Sequence, residues 1–329
     1  MAFMKVRIDP HVHCRDGSQN YKETIAHVLQ IATQQGVDKV FDMPNTDPPI
    51  CYRKDVEERL KLVPKDEEGR YFLYMGVTTN EAQLKEAVRC YDVFPEVVGL
   101  KMFAGSSTGN LLVAEEEEQR EVYLRLADMS YVGVLAVHCE KESEMDNSAW
   151  DPENPISHCR ARPKRAEIAS VNDQIRFALD AEFEGNLHIC HVTCAESVDA
   201  VNAAKKENLR ITCGVTPHHA RWDSGMMHTV PASLGVIYKM NPPLRCREDV
   251  KRLQKRIGGG KVDILESDHA PHGEEKLHPK DPSKPPSGYP SLHEYANTLN
   301  ILRANGMTGE LIDAMTYYNI KKAFSPKVA

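Results

Sequence analysis

The stretch DPHVHCRD, residues 9–16, holds two histidines one residue apart, an arginine two further on, and an acidic residue at each end. Side chains of an extended strand alternate between faces, so His11 and His13 leave the same face and can grip one cation together. Further along, GLKMFAG carries Lys101, AVHCE carries His138, ICHVTC carries His191 and ESDHAPH carries Asp268. Brought together, four histidines and an aspartate form a borderline donor set suited to zinc, with cobalt or manganese as substitutes. A lone His-x-His says little, and the combination is far more specific.

Lys101 is out of place in such a set, because an ammonium repels a cation. An amine in a low-dielectric, cationic pocket has a depressed pKa and can react with carbon dioxide to form a carbamate, whose anion can bridge two metals. The plain alternative is an ammonium paired with a nearby carboxylate. Two metals roughly 3.5 to 4 Å apart supply hydroxide near neutral pH and polarise a carbonyl. Asp268 could then accept the hydroxide's proton and pass it to a leaving nitrogen. That chemistry is amide hydrolysis.

These residues need a scaffold that gathers strand ends. Short apolar runs alternate with longer amphipathic stretches, and the pattern predicts eight strands, at 5–13, 38–44, 71–77, 97–103, 132–138, 186–191, 209–215 and 262–268. The stretch YKETIAHVLQIATQQG puts Ile25, Val28, Leu29 and Ala32 at helical spacing before Gly36. Similar helices are predicted at 80–92, 116–129, 164–183, 195–206, 247–257 and 291–304. Eight such units favour an α/β fold of the closed (β/α)8 TIM-barrel type, as a single domain over residues 1–329. Two connections, 139–163 and 272–290, are too long for bare turns and follow strand ends where barrel enzymes place substrate loops.

Composition narrows the partners. A net charge of −7, with dispersed Lys and Arg, argues against nucleic acid, and 41% hydrophobic residues suffice for a sizeable core. Neither a secretory leader nor a membrane span is read from the apolar runs, so the expected location is cytoplasmic. Nine cysteines without a C-x-x-C pair predict reduced thiols rather than disulfides, with Cys190 and Cys194 weighted toward buried thiols over metal ligands.

In order along the chain, DPHVHCR, DMPNT, GLKMFAG, VHCE, RP followed by Glu167, CHVTCAES, VTPHH, NPPLR and SDHAPH resemble the amidohydrolase superfamily and, within it, the dihydroorotase family. The resemblance implies a metal-dependent hydrolase barrel with two zinc ions per chain, held by His11, His13, Lys101 as a bridging carbamate, His138, His191 and Asp268. It implies reversible cyclisation of N-carbamoyl-L-aspartate to dihydroorotate in pyrimidine biosynthesis, a bridging hydroxide attacking the ring amide while Asp268 shuttles the proton. Arg15, Asn45 and His272 match positions that contact the substrate carboxylate, Asn241 a contact to the ring, and Thr108 a mobile-loop threonine. Two partners come with the resemblance: a second copy of the chain, and aspartate carbamoyltransferase. The family's R-x-P-G is here RDGS, and the chain reads as a barrel without the small β-sandwich domain of the long form. Hydantoinase, dihydropyrimidinase or allantoinase activity is the nearest rival; an inactive scaffold subunit for the carbamoyltransferase is another.

The remaining histidines have plainer readings. His27, His158, His228, His278 and His293 read as solvated or capping residues, and His188, out of phase with His191, as facing the barrel wall. His218 and His219 are balanced between supporting the site and plain packing.

Overall fold

The eight predicted strands form and pair in chain order in one parallel sheet: β1 (Ile8–Val12), β2 (Lys39–Asp42), β3 (Tyr71–Gly76), β4 (Val97–Phe103), β5 (Val134–His138), β6 (Asn186–Ile189), β7 (Ile211–Val215) and β8 (Ile264–Leu265). The computed structural model describes residues 6–107 and 109–328. Closure between β8 and β1 is made beyond the named strands. Val12 bridges in parallel to His269, and the His13 N–H donates to the His269 carbonyl at 2.8 Å. The barrel therefore shuts beside the histidine pair.

The last strand is shorter than its apolar pattern predicts. After Leu265 the Ser267 N–H turns to the Asp9 carboxylate at 2.8 Å, and Asp268 adopts a left-handed φ of 49°. A side-chain acceptor thus takes over from the ladder where the site begins.

Two layers of apolar side chains follow from strand alternation. Inside the barrel lie Ile8, Phe41, Phe72, Tyr74, Val134, Ala136 and Ile264; Val40, Leu73, Leu100, Leu135, Leu187 and Leu265 face outward to the helices. Helix α1 (Ile25–Gln34) is capped by the Thr24 side chain, which accepts from the His27 N–H, and it buries Ile25, Val28, Leu29 and Ala32. The acidic run becomes the first turn of helix Glu116–Asp128, with Glu116, Glu117 and Glu118 at the positive end of its dipole. Helix α2 (Arg53–Leu60) was not predicted, because RKDVEERL offers no apolar stripe; its buried residues are Val56 and Arg59. Among the described residues no helix is long and apolar enough to cross a membrane.

The barrel's N-terminal end is closed from below by the chain's last turns. Ile320, Phe324 and Val328 enter the inner layer, and the Phe324 ring meets Phe41 edge-on at 5.1 Å between centroids. Phe324 is 1% exposed. Phe324→Ala should cost about 3–5 kcal/mol by cavity formation, read from urea unfolding; a loss below about 1 kcal/mol would show that this plug is not part of the core.

Candidate active site

All six predicted metal-binding residues lie at the C-terminal mouth of the barrel, and none is more than 8% exposed. The His13 Nε2 and His11 Nε2 atoms approach the same carboxylate oxygen, Asp268 Oδ1, at 3.1 and 3.4 Å. The His138 Nδ1 and His191 Nε2 atoms face each other at 3.2 Å, and the His11 and His191 rings are 5.2 Å apart. His191 takes φ 38° just past the end of β6, as Asp268 takes its own positive φ past β8. These two residues leave the strand alternation at a left-handed backbone, a costly geometry for residues with a Cβ that is concentrated at functional sites.

Two buried carboxylates that the motifs did not flag hold the imidazoles from behind. Glu140 Oε2 contacts His138 Nε2 at 3.1 Å and accepts from Arg162 Nε at 3.0 Å. Glu266 Oε2 lies 3.4 Å from His11 Nδ1 and 3.1 Å from His188 Nε2, while its Oε1 accepts from the His191 backbone N–H. Burial opposes ionisation of both, yet Arg162 and His138 hold Glu140, and His188 and His11 hold Glu266, well below the usual carboxylate range. Gly214 makes room for this: a Cβ there would stand 2.2 Å from Glu266 Oε1. Each anion fixes one ring nitrogen and leaves the other directed at the pocket, the arrangement by which outer partners orient metal-binding histidines.

This donor set fits a pair of divalent ions. Burial drops His13 to about 4, lowers His138 and, with the neighbouring His138, holds His191 far down, so these rings are neutral with free lone pairs at pH 7. His11 differs: burial acts to lower it, but Asp268 offsets that and lifts it to about 10, so without an ion a proton stands between His11 and the anions. The His11, His13 and Asp268 donor atoms lie within 4.8 Å of one another, as do those of His11, Cys190 and Glu266. Lys101 is fully buried beneath them, its Nζ 3.0 Å from Cys190 Sγ and 5.1 Å from the Phe103 ring centroid. No carboxylate is ion-paired with Lys101 among the described residues.

Of the predicted substrate residues, Arg15, Asn45 and Asn241 line the same pocket, with Phe103, Ser287 and Gly288 and with His11, His13, His138, His191 and Asp268, while His272 stands beside Arg15. Arg15 Nε donates to the Pro271 carbonyl at 3.1 Å and its NH2 lies 3.3 Å from His272 Nε2. Asn241 Oδ1 is held by His158 Nε2 at 2.9 Å, and His272 Nε2 donates to the Ser287 carbonyl at 2.8 Å. Gly109, at φ 107°, packs against Asn45. Thr108 lies outside the described residues.

Two plain readings change. His158 is not solvated but 5% exposed, placed to hold Asn241. His188 does not face the wall: it points into the barrel, against Glu266 and with Thr212 Oγ1 at 3.0 Å. His191, two residues past the end of β6, stands on a left-handed backbone, so strand phase counted from it does not carry back to His188. Cys190 is a buried thiol, as expected, yet it touches Lys101. His219 bonds Thr216 Oγ1 at 2.8 Å and the Pro242 carbonyl at 2.9 Å, which is packing support, whereas His218 is buried with both ring nitrogens unbonded. Of the missed residues, Glu140 and Glu266 carried a sequence signal, each an acidic residue two positions from a predicted ligand, His138 and Asp268.

No family model matches the chain. A dihydroorotase of Methanosarcina mazei is 32% identical over 329 residues, covering 96% of this chain and 69% of its own length. The chain belongs to the dihydroorotase family. A dihydroorotase of Staphylococcus aureus is 32% identical over 283 residues, covering 83% of this chain and 62% of its own. Dihydroorotase-family membership makes the protein an enzyme of the cyclic amide hydrolase class. Solved structures agree on the fold: L-hydantoinase from Arthrobacter aurescens has a TM-score of 0.83 at 21% identity, covering 97% of this chain and 71% of its own. Dihydropyrimidinase from Brevibacillus agri has a TM-score of 0.82 at 21% identity, covering 97% and 70%.

If Glu140 and Glu266 orient the histidines, then Glu140→Gln and Glu266→Gln should each weaken divalent-metal binding by about 10–100-fold. Competition with a chelator, followed by metal analysis, reads this directly; wild-type affinity in both variants would refute the orienting role.

Proposed function

We propose that this protein is a zinc-dependent dihydroorotase that interconverts N-carbamoyl-L-aspartate and dihydroorotate. One observation carries the choice of substrate. Arg15 is 2% exposed and lines the pocket, and among the described residues no carboxylate lies within ion-pair distance of it. Burial lowers its pKa to about 10, which leaves it charged at neutral pH. A buried cation without a counter-ion is costly, and an anionic ligand removes the cost. Its planar fork suits a carboxylate, which dihydroorotate carries and neutral hydantoins or dihydrouracil lack.

His11, His13, His138, His191, Asp268 and Lys101 as a carbamate would hold two zinc ions. Bound there, the ions supply water activation and carbonyl polarisation. The chain's own residues do the rest. Arg15, Asn45 and His272 anchor the substrate carboxylate, and Asn241 contacts the ring. Asp268, ionised at rest because His11 and His13 offset its burial, takes up a proton at its carboxylate and delivers it to the departing ring nitrogen.

The purified, zinc-loaded protein should turn over both dihydroorotate and N-carbamoyl-L-aspartate; turnover of a neutral hydantoin with neither of these would sink the assignment. Arg15→Ala should raise KM by roughly 30-fold or more with zinc retained, matching about 2 kcal/mol or more for a lost buried charge contact. Lys101→Ala should lose zinc and activity together, and an added short carboxylic acid should restore part of both. Full activity of the unsupplemented alanine variant would refute the carbamate.

A further inference from the structure

Arg15 stands on an unusual backbone. Arg15, Asp16 and Gly17 have φ of 53°, 58° and 56°, three consecutive left-handed residues of which two carry a Cβ. Such a run persists only where the surroundings over-determine it. The downstream side is held locally: the Asp16 N–H donates to the Glu23 carbonyl at 3.0 Å, and Asp16 Oδ2 accepts from the Ile25 N–H at 2.9 Å.

The upstream side is held by a buried ion pair from elsewhere in the chain. Asp42, at the end of β2, accepts the Cys14 N–H on Oδ1 at 2.8 Å. Its Oδ2 accepts from Arg59 NH2 at 2.6 Å, Arg59 Nε at 3.1 Å and the Tyr71 hydroxyl at 2.7 Å. Arg59, from helix α2, then spends its remaining fork nitrogen on the Arg15 carbonyl. Asp42, Arg59 and Tyr71 are 0%, 6% and 2% exposed. One rigid guanidinium thus joins the β2 carboxylate to the carbonyl of the strained residue that faces the pocket.

We propose that the Asp42–Arg59 pair is a positioning device that holds Arg15 in its carboxylate-binding pose and so sets the enzyme's affinity for acidic substrates. This rests on the reading of Arg15 as the substrate's carboxylate anchor. Neither Asp42 nor Arg59 lines the pocket. A buried ion pair is a poor source of stability compared with apolar packing, so its geometric task is the better account of its presence.

The test uses the full-length, zinc-loaded protein and two variants. Arg59→Lys keeps a charge beside Asp42 but lacks the fork needed to reach Asp42 and the Arg15 carbonyl together; Tyr71→Phe removes one hydrogen bond to Asp42 and leaves the ion pair. For each, thermal unfolding and zinc content are checked first, followed by KM and kcat for both proposed substrates. Exchange of the Arg15 Nε–H is followed by 15N NMR in the substrate-free protein, the peak assigned by its loss in Arg15→Ala. Arg59→Lys should raise KM about tenfold with kcat within twofold and zinc retained, and should speed Arg15 Nε–H exchange about tenfold. Tyr71→Phe should move both in the same direction by about threefold, and it decides the matter if the lysine variant does not fold. Unchanged KM and exchange in a folded variant would overturn the proposal, as would equal losses of kcat and zinc, which mark a merely structural role. Faster exchange in a protein that turns over neither substrate would leave the clamp standing and remove the substrate assignment instead.

Discussion

The mouth of this barrel buries charged and titratable groups side by side, and nearly all of them are neutralised by partners within the protein. Four imidazoles, a lysine, an arginine and three carboxylates share that volume, and the rest of the architecture answers to their mutual neutralisation. Glu140 stands behind His138, Glu266 behind His11, and Asp268 between His11 and His13. Gly214 exists where it does because a side chain on β7 would occupy the space of the Glu266 carboxylate.

The same constraint separates two kinds of cation in one pocket. Arg59 and Arg162 are buried with carboxylates and orient the groups beside them. Arg15 is equally buried, and among the described residues no carboxylate lies within ion-pair distance of it; its contacts are the Pro271 carbonyl and His272. The imidazoles beside Asp268 and the Arg15 guanidinium thus line one small pocket with different partners.

Much of the frame was legible along the chain. Strand ends carry the reactive residues because the alternation of apolar runs marks the strands, and His-x-His, Lys101, His138 and Asp268 terminate those runs. Helix α2 escaped because its buried face is one valine and one arginine, a pattern that hydrophobic spacing does not register. His188 was misplaced because strand phase was counted from His191, where the backbone had already left the strand. His158 was read as solvated because burial by a distant loop leaves no local mark.

Residue order alone fixes the chemical inventory: which donors exist, that they belong to the first, fourth, fifth, sixth and eighth strand segments, and that an arginine follows the histidine pair. Only the tertiary structure decided how those groups are partnered. Glu266 meets His188 across 78 residues of chain, Arg59 meets Arg15 across 44, and His13 meets Asp268 across 255. Such pairings depend on barrel closure and on a few left-handed residues that redirect side chains. Strand and helix periodicities describe regular backbone, so they carry no information about the irregular positions where this site is made.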